Sequence, residues 1–166
     1  MIGRRILVVA IAMLSTFVHV AYAQGHCAET DLRILGLSKD SVTEESLKKL
    51  GITRYVVKSW VRWRPILFPN NPRLLMANIF KDLLHEGIEP FNPNCLVCLI
   101  KQAQCVDTTC HASCNLSEYS VECLHCIDKF CYEDVVDCVG AEMIRMIEHK
   151  DVFQNDFLRY DIRTRN

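Results

Sequence analysis

The chain has 166 residues, half of them apolar, with 19 lysines and arginines against 20 acids. That near-neutral balance excludes bulk nucleic-acid binding, and the length allows one domain or two small helical subdomains. Ten cysteines in so short a chain make their redox state the first question.

Arg4 and Arg5 form a positive n-region, Ile6 to Val18 is apolar except for Ser15 and Thr16, and Ala21-Tyr22-Ala23 is an A-x-A cleavage site. Residues 1–23 are therefore expected to leave as a signal peptide. The mature chain then starts at Gln24, enters the secretory pathway and ends up extracellular. An uncleaved anchor would need ~20 apolar residues, more than this run supplies. No later stretch is long and apolar enough to span a bilayer, and Arg163-Thr164-Arg165-Asn166 is not a K-D-E-L signal. Without Arg4 and Arg5, 17 basic residues face 20 acids, a net charge of −3.

Residues 24–93 are expected to form a helical subdomain. Ser41-Val42-Thr43-Glu44 fits a capping box, Leu47 and Leu50 follow at helical spacing, and Gly51 suits a helix stop. A second helix is predicted from Ile52 to Trp63, ending before Pro65. Phe68-Pro69-Asn70-Asn71-Pro72 is a turn, and Leu75, Ile79 and Leu83 predict a helix over 73–85 that closes near Gly87. Arg54, Lys58 and Arg62 make an i, i+4, i+8 stripe on the second helix, with Trp60 and Trp63 interleaved. This is the candidate contact surface for an acidic protein or a glycan. The alternatives are an ordinary solvated face, or a stripe that faces the acidic half of the same chain. Residues 28–94 carry ten basic groups against eight acids, whereas 95–140 carry only Lys101 and Lys129 against seven.

Two stretches here resemble known families. Leu47-Lys48-Lys49-Leu50-Gly51-Ile52-Thr53-Arg54 through Trp60 resembles a DNA-binding helix-turn-helix, a role that the export signal opposes. Asp31-Leu32-Arg33-Ile34-Leu35-Gly36-Leu37-Ser38 resembles the opening of a J domain, followed by acidic Glu44-Glu45 and a basic helix. Arg64-Pro65-Ile66 stands where that family has His-Pro-Asp, and Pro69-Asn70-Asn71-Pro72 resembles the loop after it. The resemblance covers about 55 residues and needs a short insertion between Leu50 and Arg54. Without the family's His and Asp it implies at most an inactive, chaperone-associated fold.

Pro90 and Pro93 mark a linker into residues 94–140, where nine cysteines run C-x2-C-x6-C-x4-C-x3-C-x8-C-x2-C-x4-C-x6-C. With Cys27 they are an even, clustered set in an exported chain, which reads as a disulfide framework. Cys95, Cys98 and Cys105 share a helix face, and Cys123, Cys126, Cys131 and Cys138 share a broader one. Two antiparallel helices joined through Cys110–Ser117 bring together residues whose numbers have a near-constant sum. The expected ladder is Cys95–Cys138, Cys98–Cys131, Cys105–Cys126 and Cys110–Cys123, with Cys114 left for Cys27. Cys95–Cys110 and Cys123–Cys138 also have equal spans, as a weak internal repeat would. Competing readings are a redox pair at Cys123-Leu124-His125-Cys126, zinc held by the two C-x2-C pairs, and copper. The redox motif belongs in a thioredoxin-like sheet that this chain lacks, and oxidised sulfur is no thiolate ligand. Asn115-Leu116-Ser117 is an N-glycosylation sequon in the expected turn.

Residues 141–166 read as a helical extension, with Val136, Val139, Met143 and Ile147 as a stripe toward Lys150. His26, His85, His111, His125 and His149 are scattered outside any catalytic motif, and no glycine-rich phosphate loop exists. Glu133, Asp134 and Asp137 read as a solvated helix face. The expectation is an all-α, disulfide-stapled protein with no catalytic residues, cofactor or metal. It is read as an extracellular binding or adhesion module for a protein or glycan; the alternative is a secretory-pathway thiol-handling factor.

Overall fold

The computed structural model describes residues 26–67, 71–115 and 117–156. The expected signal peptide, most of the turn after Phe68 and the last ten residues lie outside them. His26 and Cys27 run along the end of the cysteine-rich hairpin, donating their N–H groups to the carbonyls of Cys138 and Val139 at 3.1 and 3.3 Å. In α1 (Glu29–Ile34) the buried Asp31 caps the chain start, accepting the Ala28 N–H at 2.9 Å. Its other oxygen accepts the Asn92 N–H at 3.0 Å, so both oxygens of this buried acid are satisfied. α1 closes in a Schellman turn: Gly36 has φ +71°, and the Leu37 N–H reaches the Leu32 carbonyl at 2.7 Å. A Cβ on Gly36 would stand 2.1 Å from the Ser46 carbonyl oxygen, so this close crossing admits only glycine.

α2 (Glu44–Leu67) is one continuous helix where the sequence suggested two. Its capping box sits later than expected: Thr43 and Ser46 exchange side-chain to backbone hydrogen bonds at 2.8 and 3.0 Å, while Ser41 ends a separate 3-10 turn, Lys39–Ser41. Gly51 does not stop the helix. A mid-helix glycine costs only about 1 kcal/mol, and burial of Leu47, Leu50, Val56, Val57 and Val61 outweighs that. The helix-turn-helix likeness therefore lacks its turn, and Arg64-Pro65-Ile66 lies in the last turns of α2. α3 (Pro72–His85) begins at Asn71, whose side chain accepts the Leu74 N–H at 3.0 Å, with Pro72 in the first turn. Leu75, Ile79 and Leu83 are buried, as their spacing predicts.

The cysteine-rich hairpin rises through α4 (Pro93–Thr109) and α5 (His111–Cys114) and returns through α6 (Val121–Phe130) and α7 (Tyr132–Val139). α2 packs between α3 and α4, and α4 packs on α7. Gly140, in the left-handed region, ends α7, so the stripe from Val136 does not continue as a helix. Instead Met143 pairs with Ser38 in an isolated antiparallel bridge, and the Ile144 N–H donates to the Leu37 carbonyl at 3.1 Å. A 3-10 turn (Met146–His149) and α8 (Lys150–Asp156) return the chain to α2. Among the described residues the regular structure is all helical, stapled by five disulfides. No described helix is long and apolar enough to cross a membrane. The five disulfides fit an extracellular protein.

Candidate functional site

Two features could carry function: the cystine ladder and the basic-aromatic side of α2. Along the hairpin the bridges are Cys98–Cys138, Cys105–Cys131, Cys110–Cys126 and Cys114–Cys123, and Cys27 joins Cys95 at the base. The cross-helix ladder exists, but its register differs from the expected one, and Cys27 takes Cys95 rather than Cys114. The reason lies in the turn. Ser120 caps α6 by accepting the Cys123 N–H at 3.2 Å, so Cys123 sits in the first turn of the returning helix. It therefore meets Cys114, the last residue before the turn. Each C-x2-C divides between different partners, and none of the ten thiols is free.

The α2 stripe splits. Arg54 and Lys58 turn toward the hairpin, where with Val57 they border a small pocket of about 20 Å3 also lined by Leu99, Gln102, Ala103 and Val106. Lys58 Nζ lies 3.0 Å from Oε2 of the buried Glu118. Arg54 Nη1 points at Met146 Sδ, 2.9 Å away, and burial pushes its guanidinium pKa down, an effect that Glu118 opposes. Trp60 is half-buried and donates its indole N–H to Asp82 of α3 at 2.7 Å. Only Arg62 and Trp63 of the candidate surface are exposed, Trp63 by 54%. The alternative anticipated from charge, a stripe facing the acidic half, describes Arg54 and Lys58.

The sequon also divides. Asn115 is exposed at the end of α5, but Ser117, Glu118 and Tyr119 are buried, the last two tied to α2. The Ser117 Oγ accepts the Tyr119 N–H at 3.2 Å, and the Tyr119 hydroxyl donates to the Gly51 carbonyl at 2.9 Å. Within the expected turn, residues 111–113 and 115 are exposed, while Glu118 and Tyr119, just after it, clamp the hairpin to α2. Tyr119 in an otherwise polar run was the available signal.

At the far side, Arg145 covers the Tyr132 ring at 3.8 Å and pairs with Asp128 at 2.7 Å and Glu133 at 3.2 Å. The hydrogen bond from Arg145 to Asp128 is the main cause of its raised pKa. Glu133, Asp134 and Asp137 are exposed. Among the described residues no group of three His, Cys, Asp or Glu could hold a metal. No family model matches the chain, and no curated protein or solved structure matches it either.

Proposed function

We propose that the mature chain is a secreted, extracellular module that binds another macromolecule, a protein or a glycan, through the end of α2. The observation that carries this reading is Trp63: a large aromatic side chain, more than half exposed, beside the exposed Arg62. Across the connection to α3, Arg73 and Leu74 are exposed as well, Leu74 by 46%. Tryptophan and arginine are the residues most enriched where binding energy concentrates. Lys58 contributes by tying α2 to Glu118 of the hairpin, one turn before the exposed end. The division of both C-x2-C pairs between different partners favours this reading over a thiol-handling factor, whose active pair must bridge internally in one redox state.

The test uses mature secreted protein, crosslinked to its surroundings before lysis and recovered by pull-down. Trp63→Ala with Arg62→Glu should remove the captured partner while changing stability by less than about 0.5 kcal/mol, as expected for a surface position. Capture unaffected by the double substitution would move the contact surface elsewhere. Thiol titration of the native protein should find no reactive sulfhydryl; a titratable pair would revive the thiol-handling reading.

A further inference from the structure

We infer that Asn115 is glycosylated only before the hairpin tip closes, so that its occupancy is decided by a race against the Cys114–Cys123 bridge. The inference rests on the secretory reading above and deepens it. In the transfer, the Asn115 Nδ2 forms a bond to the anomeric carbon of a lipid-linked oligosaccharide. The bond from that carbon to the diphosphate oxygen breaks, the lipid diphosphate leaves, and the amide gives up one proton. An amide nitrogen is a poor nucleophile because its lone pair is delocalised. The transferase must therefore grip the sequon in an accessible conformation and engage the hydroxyl two residues on.

The folded chain withholds that conformation. Asn115 is held in helical backbone geometry at the end of α5, with φ −66° and ψ −39°. Ser117 is only 8% exposed, and its Oγ is already engaged by the Tyr119 N–H. The next two residues are pinned to α2 through Lys58 and the Gly51 carbonyl. Yet the Asn115 side chain itself is exposed, so a glycan added earlier can remain after folding. The fold tolerates the product and refuses the reaction.

Timing makes the competition close. Cys123 follows Asn115 by eight residues, which take about 0.4–1.6 s to synthesise at the usual rate of ~5–20 residues per second. Disulfide formation takes seconds or longer, depending on oxidant and isomerase. Closure of the tip therefore lags the appearance of Asn115 by seconds, a window in which transfer can occur, and mixed occupancy is the expected outcome.

The experiment has two arms. In vitro, the unglycosylated full mature chain is offered to an oligosaccharyltransferase with lipid-linked oligosaccharide, once oxidised and folded and once reduced and S-alkylated. A mass gain that peptide-N-glycosidase reverses should appear only on the reduced chain. In secreting cells, Cys114→Ser with Cys123→Ser should raise Asn115 occupancy by roughly two-fold or more, since the closing step is then removed. Equal transfer to the folded and reduced chains would overturn the inference, as would occupancy unchanged by the double serine variant. A reduced chain that accepts no glycan would overturn the acceptor role of Asn115 itself, a separate failure from either of those.

Discussion

The two ends of the hairpin are held together by different materials. At its base, Leu96, Leu99, Val135 and Val139 join one buried cluster with Leu35, Val57 and Ile79 from the N-terminal helices. At its tip the separate cluster consists of Val106, Ile127 and cysteines. Apolar burial scales with the partners available, and beyond Val106 only Tyr119 of the connection joins the larger cluster, leaving the two helices mainly to each other. Sulfur fills the space that leucine and valine fill below. Covalent closure thus stands in where transfer of hydrocarbon from water cannot stabilise a two-helix unit, and the contrast predicts which perturbations act locally.

The largest effect should follow removal of a tip bridge. Replacing Cys110 and Cys126 by serine opens a loop with a sequence separation of 16 and should cost about 3 kcal/mol on the loop-entropy account. Amide exchange should then speed first across 105–131 while 75–83 stays protected. Ile79→Ala, fully buried at the base, should cost a similar ~2–5 kcal/mol but lower protection throughout. Uniform loss of protection in both variants would show that base and tip are one cooperative unit.

Next comes the clamp that joins the two materials. Lys58→Met strands Glu118, which is 4% exposed, and should cost about 3 kcal/mol in urea unfolding. Lys58→Met with Glu118→Leu should recover most of that loss, because neither charge is then buried alone. A double variant as weak as the single one would mean that Glu118 serves something other than Lys58. Tyr119→Phe, which removes only the hydroxyl donated to Gly51, should cost about 1 kcal/mol and leave the ladder intact.

The smallest effect concerns the surface tie between Lys39 and Glu142, which pins the C-terminal segment to the N-terminal one. The hydrogen bond with Lys39, followed by the lysine's charge, holds the Glu142 pKa below the usual carboxylate value. Stability from this group is therefore full above the ordinary carboxylate range and fades as pH falls through the depressed Glu142 value. The same partner raises the Lys39 pKa, so its share persists below the ordinary lysine value and is lost as pH rises through the raised one. Glu142→Gln should flatten the acid limb of the pH–stability profile slightly; an unchanged limb would show that the tie contributes nothing in solution.

Helix content, the α3 stripe and the existence of a cross-helix ladder were legible from local spacing, because periodicity at 3.6 residues is written into neighbouring positions. The register of the ladder was within reach but missed. The observed cross-helix pairs have index sums of 236 or 237, a narrower spread than the expected ladder offered. Including Cys95 rather than Cys114 in the ladder caused the slip. The inward turn of Arg54 and Lys58 was harder to read, since burial of a cation depends on Glu118 arriving from a segment 60 residues away in sequence. Gly51 misled for a related reason: tertiary packing on both flanks of α2 overrides a local stop signal.

The order of the bridges along the chain has one more consequence. Read from the N-terminus, Cys95 finds Cys27 waiting, and only then do Cys98, Cys105, Cys110 and Cys114 emerge unpaired. Cys123, Cys126, Cys131 and Cys138 then claim them in reverse, each newcomer taking the most recent partner still open. The pattern is a set of brackets that never cross. Each closure draws the next two thiols together across a shortened loop, so the entropy lost at each step stays small. A chain emerging vectorially into an oxidising compartment can thus zip its sulfurs in the order of synthesis, without first breaking a wrong pair.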